Sequence, residues 1–168
     1  MTLKDIPDGV TCYVDATIFY YHIVNTPPLS DDCSDFLERV EMRYLMGVTS
    51  TVAVSEATHK VMLTEVVARH GVDRKGLIAR IKRHPELLDG LTKHQKVAAI
   101  VRHLGLTVEP VTLELLARSA EISPQLHLLT NDALTFSVME KLGVTRLATN
   151  DDDFDSVSGI KVFNPTRT

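Results

Sequence analysis

Five carboxylates fall at places where a chain reads as a strand end or a helix start. Asp15 closes the apolar run Val10-Thr11-Cys12-Tyr13-Val14, and Glu56 lies in Thr49-Ser50-Thr51-Val52-Ala53-Val54-Ser55-Glu56. Asp132 opens a helical segment in Leu128-Leu129-Thr130-Asn131-Asp132-Ala133-Leu134, and Asp151 and Asp153 follow Arg146-Leu147-Ala148-Thr149-Asn150. Acids gathered in one crevice repel each other, and a bound cation removes that cost. Mg²⁺ or Mn²⁺ suits such a set, because both take oxygen ligands and leave positions for water and phosphate. Metal-assisted phosphodiester hydrolysis is the chemistry that follows.

Each acid also has an ordinary structural use. Asp15 alone reads as a helix N-cap. Glu56 alone reads as a solvent-facing helix residue. Asp132 sits at a helix start, where the dipole favours an acid without any function. Asp151 to Asp155 alone reads as an acidic surface turn. Four such coincidences in this order are a poorer account than one shared site.

Positioning these residues calls for alternating strands and helices. Val10–Val14 predicts a buried strand and Ala16–Val24 a helix stopped by Asn25-Thr26-Pro27-Pro28. Ser30 reads as the N-cap of a helix from about Asp31 to Met46, ended by Gly47. Val48–Ser50 predicts a second strand, followed by a helix from Thr51 to His70 that stops at Gly71. Further helices are expected over Arg74–Arg83 and His94–His103, and a third strand over Leu106–Val111. Thr112 then caps a helix through Ile122, before Ser123-Pro124. A helix over Asp132–Leu142, ended by Gly143, precedes strands at Arg146–Thr149 and Ile160–Phe163. The alternation predicts an α/β/α sandwich around a mostly parallel sheet of about five strands. Ligands of such sheets bind beyond the carboxyl ends of the strands.

The whole of 1–168 reads as a single domain. An apolar fraction of 44% and a charged fraction of 24% are those of an ordinary soluble globule, and a net charge of −4 argues against a general nucleic-acid coat protein. Cys12 and Cys33 have no C-x-x-C spacing and read as reduced thiols. The opening Met1–Asp8 has no basic and apolar leader, and no apolar run nears the ~18 residues of a membrane span. A cytoplasmic protein without membrane contact is the expectation. Net charge is −4, but Arg69 to His103 holds nine Lys/Arg against three acids. That segment carries +6 and leaves −10 for the remainder. Arg80, Lys82 and Arg83 are its candidates for contact with a polyanion, with His84, His94 and His103 adding to it; the alternative is a solvated helical face.

Strand-Asp15-Ala16-Thr17, Ser55-Glu56, Asn131-Asp132-Ala133-Leu134 and Leu147-Ala148-Thr149-Asn150-Asp151-Asp152-Asp153-Phe154 resemble the pattern of PIN-domain ribonucleases. The most specific piece is the last, a strand followed by T-x-D-x-D-F. The resemblance runs from about Val10 to Pro165 and is strongest to the VapC-type toxins of toxin–antitoxin pairs. It implies metal-dependent RNA hydrolysis with Mg²⁺ or Mn²⁺, giving a 5′-phosphate and a 3′-hydroxyl. By the same resemblance Asp15, Glu56, Asp132 and Asp151 form the metal-binding quartet, and Asp153 is an auxiliary acid. Thr17, Thr149 and Asn150 are supporting positions. A small antitoxin partner and a homodimer are implied too. The stretch between Glu56 and Asp132 is longer than in the compact toxins, and Asp152 is an extra acid.

Other classes fit less well. A haloacid-dehalogenase-type phosphatase needs a second aspartate where Thr17 stands. A response-regulator receiver needs an acidic pair at the first strand. A housekeeping RNA-processing PIN nuclease, or an inactive PIN scaffold for RNA or protein, is the remaining alternative. The scaffold would lack a quartet acid, and none is missing. Glu56-x-x-His59 occurs once, whereas a di-iron bundle needs two such motifs. Phe19, Tyr20 and Tyr21 are expected in the core or at an interface, with base stacking by Tyr20 or Tyr21 as the alternative.

Overall fold

A computed structural model describes residues 1–166. Five strands, β1 (Thr11–Val14), β2 (Met46–Ser50), β3 (Thr107–Glu109), β4 (Arg146–Ala148) and β5 (Lys161–Phe163), form one sheet in the order β3-β2-β1-β4-β5. Every pairing is parallel. Between them run α1 (Ala16–Val24), α2 (Leu29–Glu41), α3 (Thr51–His70), α4 (Leu77–Arg83), α5 (Lys96–His103), α6 (Leu113–Leu126) and α7 (Thr130–Leu142).

Successive strand residues point to opposite faces, so one strand feeds two cores. Cys12 and Val14 face a core built with α1, α2, α3 and α5. Tyr13 between them faces a second core with α6 and α7. Leu147 and Ala148 divide in the same way. The result is the expected three-layer α/β/α sandwich.

The strand order reverses between β1 and β4. That is the point where an open parallel sheet leaves a crevice beyond its carboxyl ends. Asp15 follows β1 directly, and Thr149 to Asp153 follow β4.

Several boundaries differ from the sequence expectations, for local reasons. The helix expected from Asp31 to Met46 begins at Leu29 and ends at Glu41. Pro28 already holds helical angles, so Ser30 lies inside the helix and caps nothing. At the far end Arg43 takes the left-handed turn (φ 63°), and Tyr44 N–H bonds back to the Arg39 carbonyl at 3.0 Å. Glycine usually fills that position, so the sequence carries no stop signal there. Gly47 is a strand residue of β2, not a helix end. A Cβ at Gly47 would lie 2.8 Å from Val40 Cγ1, so its absence lets α2 pack close on the sheet. The helix expected to stop at Ile122 runs on to Leu126 through Pro124. The proline falls in the last turn, and His127 ends the helix in the left-handed region. The seventh helix starts at Thr130, two residues before Asp132.

The basic segment folds as α4, a 3₁₀ turn at Pro85–Leu88 and α5. Val66, Val72, Leu77 and Leu91 form a small satellite core that fastens α4 to the C-terminal half of α3.

Candidate active site

Asp15 caps α1 and is buried. Its Oδ2 accepts from Thr17 N–H at 3.1 Å, Thr17 Oγ1 at 2.7 Å and Thr149 Oγ1 at 2.9 Å. Both hydroxyl protons therefore go to one carboxylate oxygen. The 3.3 Å contact between the two hydroxyls is then a meeting of acceptors, since each carries a single proton. Their lone pairs are also used. Thr17 Oγ1 accepts from Asn150 N–H at 2.9 Å, and Thr149 Oγ1 accepts from Asp151 N–H at 3.0 Å. Two threonines thus lock the loop after β4 onto the start of α1 and orient Asp15. Asn150 adds a bond from Nδ2 to Tyr21 Oη at 3.1 Å.

The loop then turns through a short 3₁₀ segment, Asp152–Phe154, with Asp151 as its cap. Asp151 Oδ1 accepts from Asp153 N–H at 3.1 Å. Glu56, Asp132, Asp151 and Asp153 line an open cavity of about 500 Å³ with Leu129, Thr130 and Asn131. Asp152 instead lines a separate cavity with Thr2, Asp5 and Asp155. Of the three consecutive aspartates, the first and third face the acidic crevice.

Among the described residues nothing donates a hydrogen bond to the Asp132 carboxyl or forms an ion pair with it. Burial, then the charges of Asp151, Asp153, Asp15 and Glu56, push its carboxyl from 3.8 up to about 6. Those four are the other acids singled out in the sequence, so all five act on one region. As the side chains stand, no three His, Cys, Asp or Glu groups among the described residues close on a single point. The donors are carboxylate oxygens throughout, which suits a hard divalent cation over a thiophilic metal.

Lys60 is the residue that the sequence reading missed. One turn beyond Glu56 on α3, its Nζ bonds Glu56 Oε1 at 2.7 Å. Burial works against the ammonium. The hydrogen bond to Glu56 and the charges of Glu56, Asp15 and Asp151 outweigh it, and the pKa is raised. The available signal was the Glu-x-x-x-Lys spacing, which puts both side chains on one helix face.

His59 is exposed on α3, as expected for a lone Glu-x-x-His. Cys12 and Cys33 are free and buried, and burial pushes both thiols up to about 12. Neither is a nucleophile at neutral pH. In the basic arm Arg80, Lys82 and Arg83 are exposed. The histidines assigned to the arm are each met by a carboxylate. His84 lies 3.1 Å from Glu86, His94 3.5 Å from Glu65 and His103 3.0 Å from Glu41. They add little to its net positive field.

The family model for the PIN domain matches residues 12–160. The chain belongs to the PIN-domain family. Ribonuclease VapC2 of Methanocaldococcus jannaschii is 26% identical over 153 residues, covering 90% of this chain and 91% of that protein. Among solved structures, VapC20 of Mycobacterium tuberculosis, a sarcin-ricin loop cleaving toxin, is similar with a TM-score of 0.59 and 18% identity. The match covers 88% of this chain and 95% of that one. VapBC2 of Rickettsia felis, bound to a promoter DNA fragment, matches with a TM-score of 0.56 and 16% identity, over 92% and 98% of the two chains. At such identities the structural matches speak to the fold, which agrees with the resemblance read from the motifs. Among the described residues no helix is long and apolar enough to cross a membrane.

Proposed function

We propose that this chain is a divalent-metal-dependent ribonuclease of the VapC kind, with Asp15, Glu56, Asp132 and Asp151 as the metal-binding quartet and Asp153 as the auxiliary acid. The observation that carries this reading is Asp132. It is a half-buried carboxylate without a partner among the described residues, raised by burial and then by four other acids at the crevice where the sheet order reverses. Membership of the PIN family and the likeness to a protein named ribonuclease support RNA as the substrate.

Mg²⁺ or Mn²⁺, when bound, supplies an activated water and neutralises charge on the scissile phosphate. The chain's own contribution is placement. Thr17 and Thr149 hold Asp15 by one oxygen, and so fix the direction of the other. The Asp153 N–H holds Asp151 in the same way. Asn150 ties the loop to both α1 contacts, Thr17 and Tyr21. None of these groups needs to form a covalent bond to the substrate.

The direct test is a mixed RNA pool incubated with Mn²⁺ or EDTA, with sequencing of the ends. Cleavage that needs Mn²⁺ and leaves 5′-phosphates is expected; cleavage undiminished in EDTA overturns the reading. A small antitoxin partner, a homodimer and a cytoplasmic setting belong to the same proposal. The likeness to VapBC2 and to a toxin-antitoxin complex from Klebsiella pneumoniae supports the partner. Expression of the chain alone should arrest growth, and the Asp15→Asn form should not. Harmless expression of an active enzyme would favour a housekeeping RNA-processing role.

A further inference from the structure

The acidic edge contains a cation of its own. Lys60 donates to Glu56 at 2.7 Å, and its side chain is 38% exposed. An ammonium has three donors, of which Glu56 takes one. One more turn along the same face of α3 is Thr64, about 6 Å further along the axis. Thr64 Oγ1 accepts from Arg74 Nη2 at 2.6 Å, and the same nitrogen donates to Tyr20 Oη at 3.2 Å. Tyr20 lies on α1, where its ring meets Tyr21 edge-on with centroids 5.1 Å apart. Tyr21 Oη returns to the edge through Asn150. Polar groups thus lie along the α1–α3 seam at two levels, Lys60 with Glu56 and, one turn further, Thr64 with Tyr20 and Arg74. They point to the end of α3 that carries the basic arm, about 20 Å from Glu56.

We propose that Lys60 and Arg74 are substrate-positioning residues, with Lys60 receiving the phosphate next to the scissile one and Arg74 receiving a phosphate further along the same RNA strand. The proposal rests on the ribonuclease reading of the acidic edge. A polyanion must be brought against five carboxylates, and an edge without cations would repel it. Lys60 is held beside Glu56, one of those carboxylates. Arg74 is exposed and pinned by two hydroxyls, so its guanidinium is oriented before any strand arrives. Arg74, from beyond α3, is held at Thr64, one turn past Lys60 on that helix, so two cations lie along one seam.

The test uses the full chain, a fluorescent single-stranded 12-mer RNA and a dinucleotide that has only the scissile phosphate. Arg74→Met should raise KM for the 12-mer about tenfold, with kcat changed less than about threefold. Its binding to the 12-mer in Ca²⁺ should lose about 0.7 of salt slope. Lys60→Met should move KM and slope in the same direction, and Lys60→Arg should restore most of that loss. The dinucleotide should be cut alike by wild type and Arg74→Met. Mn²⁺ affinity measured by calorimetry should be kept in Arg74→Met. For Arg74→Met, equal losses on both substrates, an unchanged KM and slope on the 12-mer, or loss of Mn²⁺ binding would each overturn the subsite. Wild type that binds Mn²⁺ but neither binds nor cuts the 12-mer would bring down the ribonuclease reading, and the subsite with it.

Discussion

Asp32 and Asp132 both lie in the first turn of a helix and meet opposite fates. The helix dipole favours an acid at both. Asp32 accepts from Lys4 Nζ at 2.8 Å and from Thr166 N–H at 2.8 Å. The bonds from Lys4 and Thr166 outweigh burial and bring its carboxyl down to about 2. It clasps together the N-terminal turn, α2 and the chain's last described residue. Among the described residues Asp132 has no donor, and burial plus four acids push it up to about 6. Placement in the first turn of a helix therefore decides nothing about charge state; the tertiary neighbours decide it. The fold supplies a partner to Asp32. It supplies none to Asp132 among the described residues, as the proposed metal site requires.

The largest test of this contrast is catalytic. Asp132→Asn and Asp15→Asn should each lower RNA cleavage by more than the about 10–100-fold produced by losing an outer-shell partner. Asp32→Asn should keep activity per folded molecule. Cleavage assays that reverse this order would break the comparison.

Stability should show the opposite ranking. Asp32→Ala leaves the Thr166 N–H without its acceptor and removes the ion pair, for a loss of about 1–3 kcal/mol. Thermal unfolding of the metal-free protein should fall by about 2–4 °C for each kcal/mol. Asp132→Asn should instead raise the metal-free melting temperature by about 2–4 °C, and should reduce the further gain from Mn²⁺. An Asp132→Asn protein that melts lower in EDTA and keeps the full Mn²⁺ shift would make Asp132 a cap.

The pH dependences sharpen the pair, because they run in opposite directions. Asp132 is raised, so the folded state holds its proton more tightly than the unfolded chain. Its contribution to stability is full below 3.8 and is lost as pH rises through about 6. Asp32 is depressed, so its contribution is present above 3.8 and is lost as pH falls through about 2. Melting temperatures of each Asn variant relative to wild type should therefore diverge from pH 4 to 6 for Asp132 and converge from pH 4 to 2 for Asp32.

The smallest effect lies away from both aspartates. Arg80, Lys82 and Arg83 replaced together by Ala should lower the salt slope of RNA binding by up to about 2 and leave melting nearly unchanged. No change in slope would make α4 a solvated face.

The fold was legible in the sequence because its signals are local. Alternating strand and helix patterns gave the three layers, and Gly71 and Gly143 marked helix ends by their left-handed turns. Boundaries failed where the signal was non-local. Arg43 turns left-handed without glycine, and Gly47 is small because α2 packs against it. The acids were legible as types at strand ends and helix starts. Their common environment was not, since it depends on β4 lying beside β1 although 131 residues separate Val14 from Arg146. The sequence by itself determined the alternation, the acids and the hydroxyls at 17 and 149. Only the tertiary structure decided that both hydroxyls share one oxygen of Asp15, that Asp152 turns away, and that Lys60 stands among the carboxylates. Hydrogen bonds and charges act over a few ångströms in space, and spacing along a chain does not state which groups come that close.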